Sequence, residues 1–249
     1  MRPQINLRTA ILGIIMFTGI WQVLAWVVRQ PILPAPTVVV PIFFQSIFRD
    51  LGIHFLASTA RVVAAILIAV LAAVPIGLIL GQMPKLDRVM APLIAIIYPI
   101  PKIVLLPVIY IFMGITDISK IFLIALIIFF QILVVVRDEA ANLHPELILS
   151  VRSLGAGRRA LFRYVYLPAS LPAVVTALRL SVGTAVAVLF IAEQSLTSYG
   201  LGYYIVVETY QVLQYPQMYA GILAMSLLGL LLYFCISSLE SRLCKYQKG

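Results

Sequence analysis

From Val62 to Gly81 the chain carries no charged side chain. An α-helix needs roughly 20 mostly apolar residues to cross hydrocarbon, so this stretch alone asks for lipid as its solvent. It is not isolated. Comparable runs occupy Ala10–Val28, Val89–Ile115, Ile121–Val136, Ala169–Ala192 and Tyr219–Leu239. Open sheets cannot span a bilayer, because their edge groups would lack partners. The expected fold is therefore an all-α membrane protein, one domain over 1–249 with six transmembrane helices. Their bounds are about 10–28, 58–81, 88–115, 119–136, 169–193 and 218–239, with a long loop at 137–168.

Composition agrees. The chain is 63% hydrophobic and 11% charged, against about half and a quarter in a soluble domain. The first run follows a basic start at Arg2 and Arg8, which raises the rival reading of a signal peptide. The run is long for such a segment, and Ala25-Trp26-Val27 is a poor cleavage site, so a retained helix is expected.

The net charge of +9 would suggest nucleic acid in a soluble protein. Here the placement of the charges decides. Arg2, Arg8, Lys85, Arg88, Arg137, Arg152, Arg158, Arg159, Arg163, Arg242, Lys245 and Lys248 all fall on one side of a six-span topology. The other side holds Arg29, Arg49 and Lys120, with Asp50, Asp117, Glu193 and Glu208. Basic loops stay in the cytoplasm, so both termini are expected there. The charge is topology, and no nucleic-acid partner is expected. Cys235 and Cys244 fit no disulfide framework, and His54 and His144 share no motif, so no metal site is expected.

The loop Arg137–Pro168 is too long to be a mere connector. Leu147, Ile148, Val151 and Leu154 share a helical face. Gly155-Ala156-Gly157 breaks that helix, and a second follows with Leu161 and Val165 on one face. Such a helix pair can dock into a groove on a soluble partner or lie on lipid headgroups. The pattern alone leaves both open.

The same loop resembles the coupling motif of ABC importer permeases, E-A-A-x-x-x-G-x9-I-x-L-P. Gly155, with Ala156 behind it, and Val165-Tyr166-Leu167-Pro168 match at the required spacing, while Leu149, Ser150 and Val151 stand where the motif has Glu-Ala-Ala. The literal Glu139-Ala140-Ala141 lies too far from Gly155 to serve. Further segments resemble the nitrate, taurine and aliphatic-sulfonate branch of these permeases. They are Leu33-Pro34-Ala35-Pro36, Ser58-Thr59-Ala60-Arg61-Val62, Tyr98-Pro99-Ile100-Pro101-Lys102, Leu106-Pro107, Ile118-Ser119-Lys120, Ala192-Glu193 and Gly200-Leu201-Gly202-Tyr203.

The resemblance implies a type I importer permease in the cell inner membrane, with no enzymatic activity of its own. Its partners would be cytoplasmic ABC ATPase subunits, an extracytoplasmic binding protein, a second permease copy (a homodimer being simplest) and membrane lipid. ATP and magnesium would belong to the ATPase, and no cofactor to this chain, which lacks a G-x-x-x-x-G-K-[ST] loop. The branch spans small anions such as sulfonate, taurine or nitrate, and also thiamine-precursor pyrimidines and riboflavin-like solutes.

Within the spans, Pro99, Pro101 and Pro107 break the third run. They form either a kink or a pore-lining element. Lys102, Arg179 and Glu193 are charges in or beside spans. Each costs roughly 2.5–3.5 kcal/mol at a helix centre, so each pairs structurally or lines the translocation path. Two cations against one acid lean toward an anionic cargo. Gly200-Leu201-Gly202 is read as a tight turn or as a surface met by the binding protein. An ion-coupled secondary transporter is the rival class. It would need a coupling site near the midplane, often with acidic groups and inverted repeats, and the spans offer only Glu193 at an edge. A membrane enzyme would need a catalytic cluster, and none is present in the sequence.

Overall fold

A computed structural model describes residues 7–194 and 196–243. Arg2, Cys244, Lys245 and Lys248 lie outside the described residues. Within them the chain is helical, with no strand.

Helix α1 is Leu7–Val28 and α2 is Pro36–Ser46. Helix α3 runs Asp50–Gln82, α4 Pro84–Ile97 and α5 Leu106–Met113. Helix α6 is Asp117–Ala141, α7 Pro145–Ser153 and α8 Arg158–Leu161. Helix α9 is Leu167–Glu193, α10 Leu201–Tyr203 and α11 Tyr215–Leu243. Four helices are long and apolar enough to cross a membrane: α3, α6, α11, and the run Arg159–Glu193 that ends in α9. The pair of α4 and the segment Lys102–Met113 makes a fifth when taken together, bent by 79°. The first expected span coincides with α1, whose stretch Leu12–Val28 is shorter than those four. It packs loosely, leaving Ile14, Phe17 and Trp26 each about two-thirds exposed (66%, 67% and 66%) as a lipid-facing helix would.

The centre of the bundle is the α3–α6 pair. Ala65, Ala69, Ala73 and Gly77 repeat every four residues along α3, and Ile124, Ile128, Ile132 and Val136 do the same along α6; the α3 residues and their α6 counterparts are buried. Small residues let two backbones approach closely where lipid supplies no hydrophobic drive. The approach is so close that a Cβ on Gly77 would sit 3.0 Å from the Val136 side chain. Helix α9 packs on this pair.

Three boundaries differ from the sequence reading. Span two begins at Asp50, not near Ser58, which brings His54, Ser58 and Arg61 into the same helix as the apolar run. Span three is two helices. Pro101 is extended, with φ −70° and ψ 91°, and the chain then turns through a 3-10 segment at Lys102–Leu105. Pro107 does not break anything: it stands in the first turn of α5, where its missing N–H costs nothing. Span five continues backward without a break through a π-helical turn, Phe162–Tyr166, into α8.

Candidate functional site

Three places carry the charged, strained or exposed residues that a function would use. One is the helix pair between α6 and α9. At its start Arg137 Nη2 donates to Asp87 Oδ2 at 2.8 Å, tying the end of α6 to α4. Helix α7 then ends on Gly155, whose φ is +80° and whose N–H donates to Arg152 O at 2.9 Å. A left-handed glycine just past a helix end is the usual way to stop it. The expected apolar stripe divides. Ile148 and Val151 pack against the core, whereas Leu147, Leu149 and Leu154 are exposed at 48%, 61% and 85%. Leu149, Ser150 and Leu154 therefore present the outward surface, beside exposed Gly155 and half-buried Ala156. Val165 and Tyr166 are buried, and Leu167 and Pro168 begin α9. Helix α8 thus runs without a break into a membrane span, and α7 joins it through the turn at Gly155.

The second place is the break between α4 and α5. Lys102 Nζ donates to the carbonyls of Ile97 and Tyr98, both at 3.0 Å, and lies 4.6 Å from the Phe130 ring centre. The last carbonyls of a helix lack intrahelical partners, and here an ammonium satisfies them while its other side rests on a ring. A cavity of about 340 Å³ adjoins the break, lined by Tyr98, Pro99, Pro101, Lys102, Phe130 and Gln131 among others. Arg179 stands elsewhere. Its Nη1 meets Glu240 Oε2 at 2.8 Å, joining α9 to α11. Both cations expected on the path thus have partners within the chain: Lys102 keeps its charge and donates to backbone carbonyls, and Arg179 is paired with a carboxylate. Of the two cations, only Lys102 brings an uncompensated charge to a cavity.

The third place was not assembled by sequence reasoning. Glu193, the last residue of α9, is fully buried. Ser58 donates to its Oε2 at 2.7 Å, the Gly202 N–H donates to the same oxygen at 3.1 Å, and the Arg61 guanidinium pairs with Oε1. Arg61 is 4% exposed and also reaches Tyr199 O at 2.7 Å and Asp117 Oδ1 at 2.9 Å. Asp117 opens α6 behind a Thr116–Ser119 capping box. Ser58 accepts from the Leu201 N–H at 2.8 Å, and His54 Nδ1 accepts from the Gly200 N–H at 3.1 Å. That bond leaves the His54 proton on Nε2, which faces Glu208 at 3.2 Å. Lys120 is bound to Thr197 at 3.0 Å.

The loop glycines are necessary for this. Gly200 has φ +129°, and a Cβ there would strike the Glu193 carboxylate; a Cβ on Gly202 would lie 2.6 Å from Phe190 O. Gly200, Leu201 and Gly202 are all buried. The surface expected of them is absent, because their N–H groups turn inward to bind α3 and α9. Tyr199 and Leu196, 56% and 62% exposed, form the outer face instead. Beside it lies a cavity of about 490 Å³ lined by Asp50, His54, Glu208 and Tyr204 among others. Burial pushes the Tyr204 phenol above its usual range. Arg61 could have been suspected as a cation in the first turns of a span, on the same side as Glu193.

A two-helix plug outside the spans, fused to one of them, agrees with what family comparison finds. Residues 73–245 match the family of binding-protein-dependent transport system inner membrane components. The chain belongs to that family. The match includes all of α7, Gly155, α8 and α9. This permease family transports and does not catalyse, so the chain is a transport permease and not an enzyme.

Among curated relatives, a taurine transport system permease protein of Escherichia coli is 32% identical over 76% of this chain and 69% of its own length. A putative aliphatic sulfonates transport permease protein of Bacillus subtilis is 28% identical over 93% of this chain and 84% of its own. A formylaminopyrimidine transport permease protein of Halalkalibacterium halodurans is 27% identical over 94% of both. The fold matches a chain of the inward-facing MetNI methionine ABC transporter with TM-score 0.64 and 20% identity, over 78% of this chain and 96% of that one. The chain is thus a multi-pass inner-membrane permease subunit of the ABC importer class, with a type I fold.

Proposed function

We propose that this permease forms, with a second copy of itself, the path by which a small solute enters the cell. A binding protein delivers the solute, and cytoplasmic ATPase subunits that hold ATP and magnesium drive its passage. The observation that carries this is the outward α7–Gly155–α8 pair, whose second helix is continuous with α9. A partner that moves Leu149, Ser150 and Leu154 moves a spanning helix with them. The basic end of the bundle faces the cytoplasm, and the Glu193 end faces the binding protein through Tyr199 and Leu196.

The cargo class follows the relatives toward a taurine-like or aliphatic sulfonate. A second reading is a flat thiamine-precursor pyrimidine or riboflavin-like solute. The cavity at the α4–α5 break favours it: Tyr98 and Phe130 bring aromatic rings and Gln131 an amide to its lining. The test is reconstitution with the co-purifying ATPase and binding protein in proteoliposomes. Uptake of taurine or of an aminopyrimidine should require ATP inside or outside on the ATPase face only. Uptake driven by an ion gradient with no ATPase present would place the chain in the secondary-transporter class.

A further inference from the structure

The basic end of the bundle holds a third cavity, of about 590 Å³. It lies under α7 and α8, against the last turns of α3 and the turn into α4. Three cations line it, Lys85, Arg152 and Arg159, each from a different helix, and no carboxylate does. Three arginines elsewhere are paired with acids: Arg137 with Asp87, Arg179 with Glu240, and Arg61 with Asp117 and Glu193. Lys85, Arg152 and Arg159 have no carboxylate within 4.0 Å among the described residues. They converge on one empty space with their charge unspent.

The walls are equally one-sided. Gln82 lines the cavity as its one neutral amide. The π-helical turn sets Phe162 and Tyr166 over the same space. Such widened turns are rare and recur at functional sites. Ile79 and Met83, 41% and 44% exposed, make the rim of the cavity apolar at the last turn of α3. Three cations beside an exposed apolar rim are complementary to a phosphate carried on an acyl chain. Basic pockets at the cytoplasmic ends of spanning helices take such headgroups.

We propose that this cavity seats the phosphate of an anionic phospholipid headgroup, bridging α4 to the α7–α8 pair. The same chemistry admits free phosphate, and the experiment separates the two. The delipidated complex of permease and ATPase is titrated with dioleoylphosphatidylglycerol, with dioleoylphosphatidylcholine, and with inorganic phosphate. Binding is read by native mass spectrometry and by the shift in Tm. The wild type should retain phosphatidylglycerol and be stabilised by it in preference to phosphatidylcholine. Each cation near a headgroup is worth about a fivefold change, so the combined Lys85→Gln, Arg152→Gln, Arg159→Gln variant should bind about a hundredfold more weakly. Lys85→Gln alone, away from α7, should lose about fivefold. A charge-matched control, Arg88→Gln, Arg163→Gln and Arg242→Gln, should bind as wild type does. Stabilisation by inorganic phosphate that the triple variant loses supports the site and assigns it to free phosphate. Equal lipid binding by triple variant and control overturns the proposal. So does lipid binding by permease alone that the ATPase abolishes, since an acidic side chain of the partner would then own the cavity.

Discussion

Glu193 and Arg61 are separated by 132 positions in sequence and share a hydrogen bond at zero solvent exposure on the carboxylate side. Two opposite charges buried together gain little over an apolar pair, but removing one leaves the other stranded, at a cost of roughly 3–5 kcal/mol. The two single losses should differ. Arg61→Met leaves Glu193 with only Ser58 and the Gly202 N–H, whereas Glu193→Leu leaves Arg61 with Asp117, which is 62% exposed and partly solvated. Arg61→Met is therefore expected to destabilise more, by roughly 3–5 kcal/mol, and the double variant by less than the sum. Unfolding of the purified protein in mixed micelles measures this. Strict additivity would mean that the pair is not coupled. Glu193 was visible in the sequence as an acid at a span edge. Its partner was not, since Arg61 reads only as the residue before an apolar run. Pairing between α3 and α9 is a property of the packed bundle, and the spacing of neither residue encodes it.

At the scale of elements, the long spans were legible because nothing but a helix can bury such runs in lipid. The prolines announced the break in span three, but not its 79° bend, which depends on the extended Pro101 and on Lys102 holding the α4 carbonyls. Helix α2 was missed: Pro36 and Pro41 lie within eleven residues and obscure the period. Leu167-Pro168 was taken for the end of the loop, yet the helix passes through it. Leu167 N–H already reaches back to Phe162 O in a widened turn, so Pro168, which has no N–H to give, fits into the continuing helix. Gly155 is the element-scale residue to test. Open space surrounds it, so a side chain would meet backbone strain and not a clash. A β-branched residue at φ +80° costs roughly 1–2 kcal/mol. Gly155→Val is expected to reach the membrane in normal amount and to lower ATP-coupled uptake about tenfold, in line with that strain. Gly155→Asn, which tolerates the left-handed region, should recover most of it. Wild-type uptake by Gly155→Val would show that the turn has no part in coupling.

For the molecule as a whole, the two ends of the bundle differ in how their charges are handled, and that difference sets its direction in the membrane. At one end Lys85, Arg88, Arg152, Arg159, Arg163 and Arg242 are exposed, and among the described residues there Arg137 and Arg179 are held by acids. At the other end Arg61 and Lys120 are buried beside Asp117 and Glu193, and the free surface carries Asp50 and Glu208 with Arg29 and Arg49. Orientation responds to positive charge in short loops near span ends and scarcely to acids. Counted that way, the end with α7 and α8 is expected to stay in the cytoplasm. Single cysteines test it, placed in a chain whose own cysteines are replaced by serine. Leu149→Cys and Leu154→Cys report the α7–α8 end, and Leu196→Cys the opposite end; all three positions are well exposed. A membrane-impermeant maleimide applied to intact spheroplasts should label Leu196→Cys at once, and the other two only after permeabilisation. The reverse pattern would invert the chain. An inverted chain could not meet a cytoplasmic ATPase through Gly155, so this outcome would remove the coupling role together with the topology.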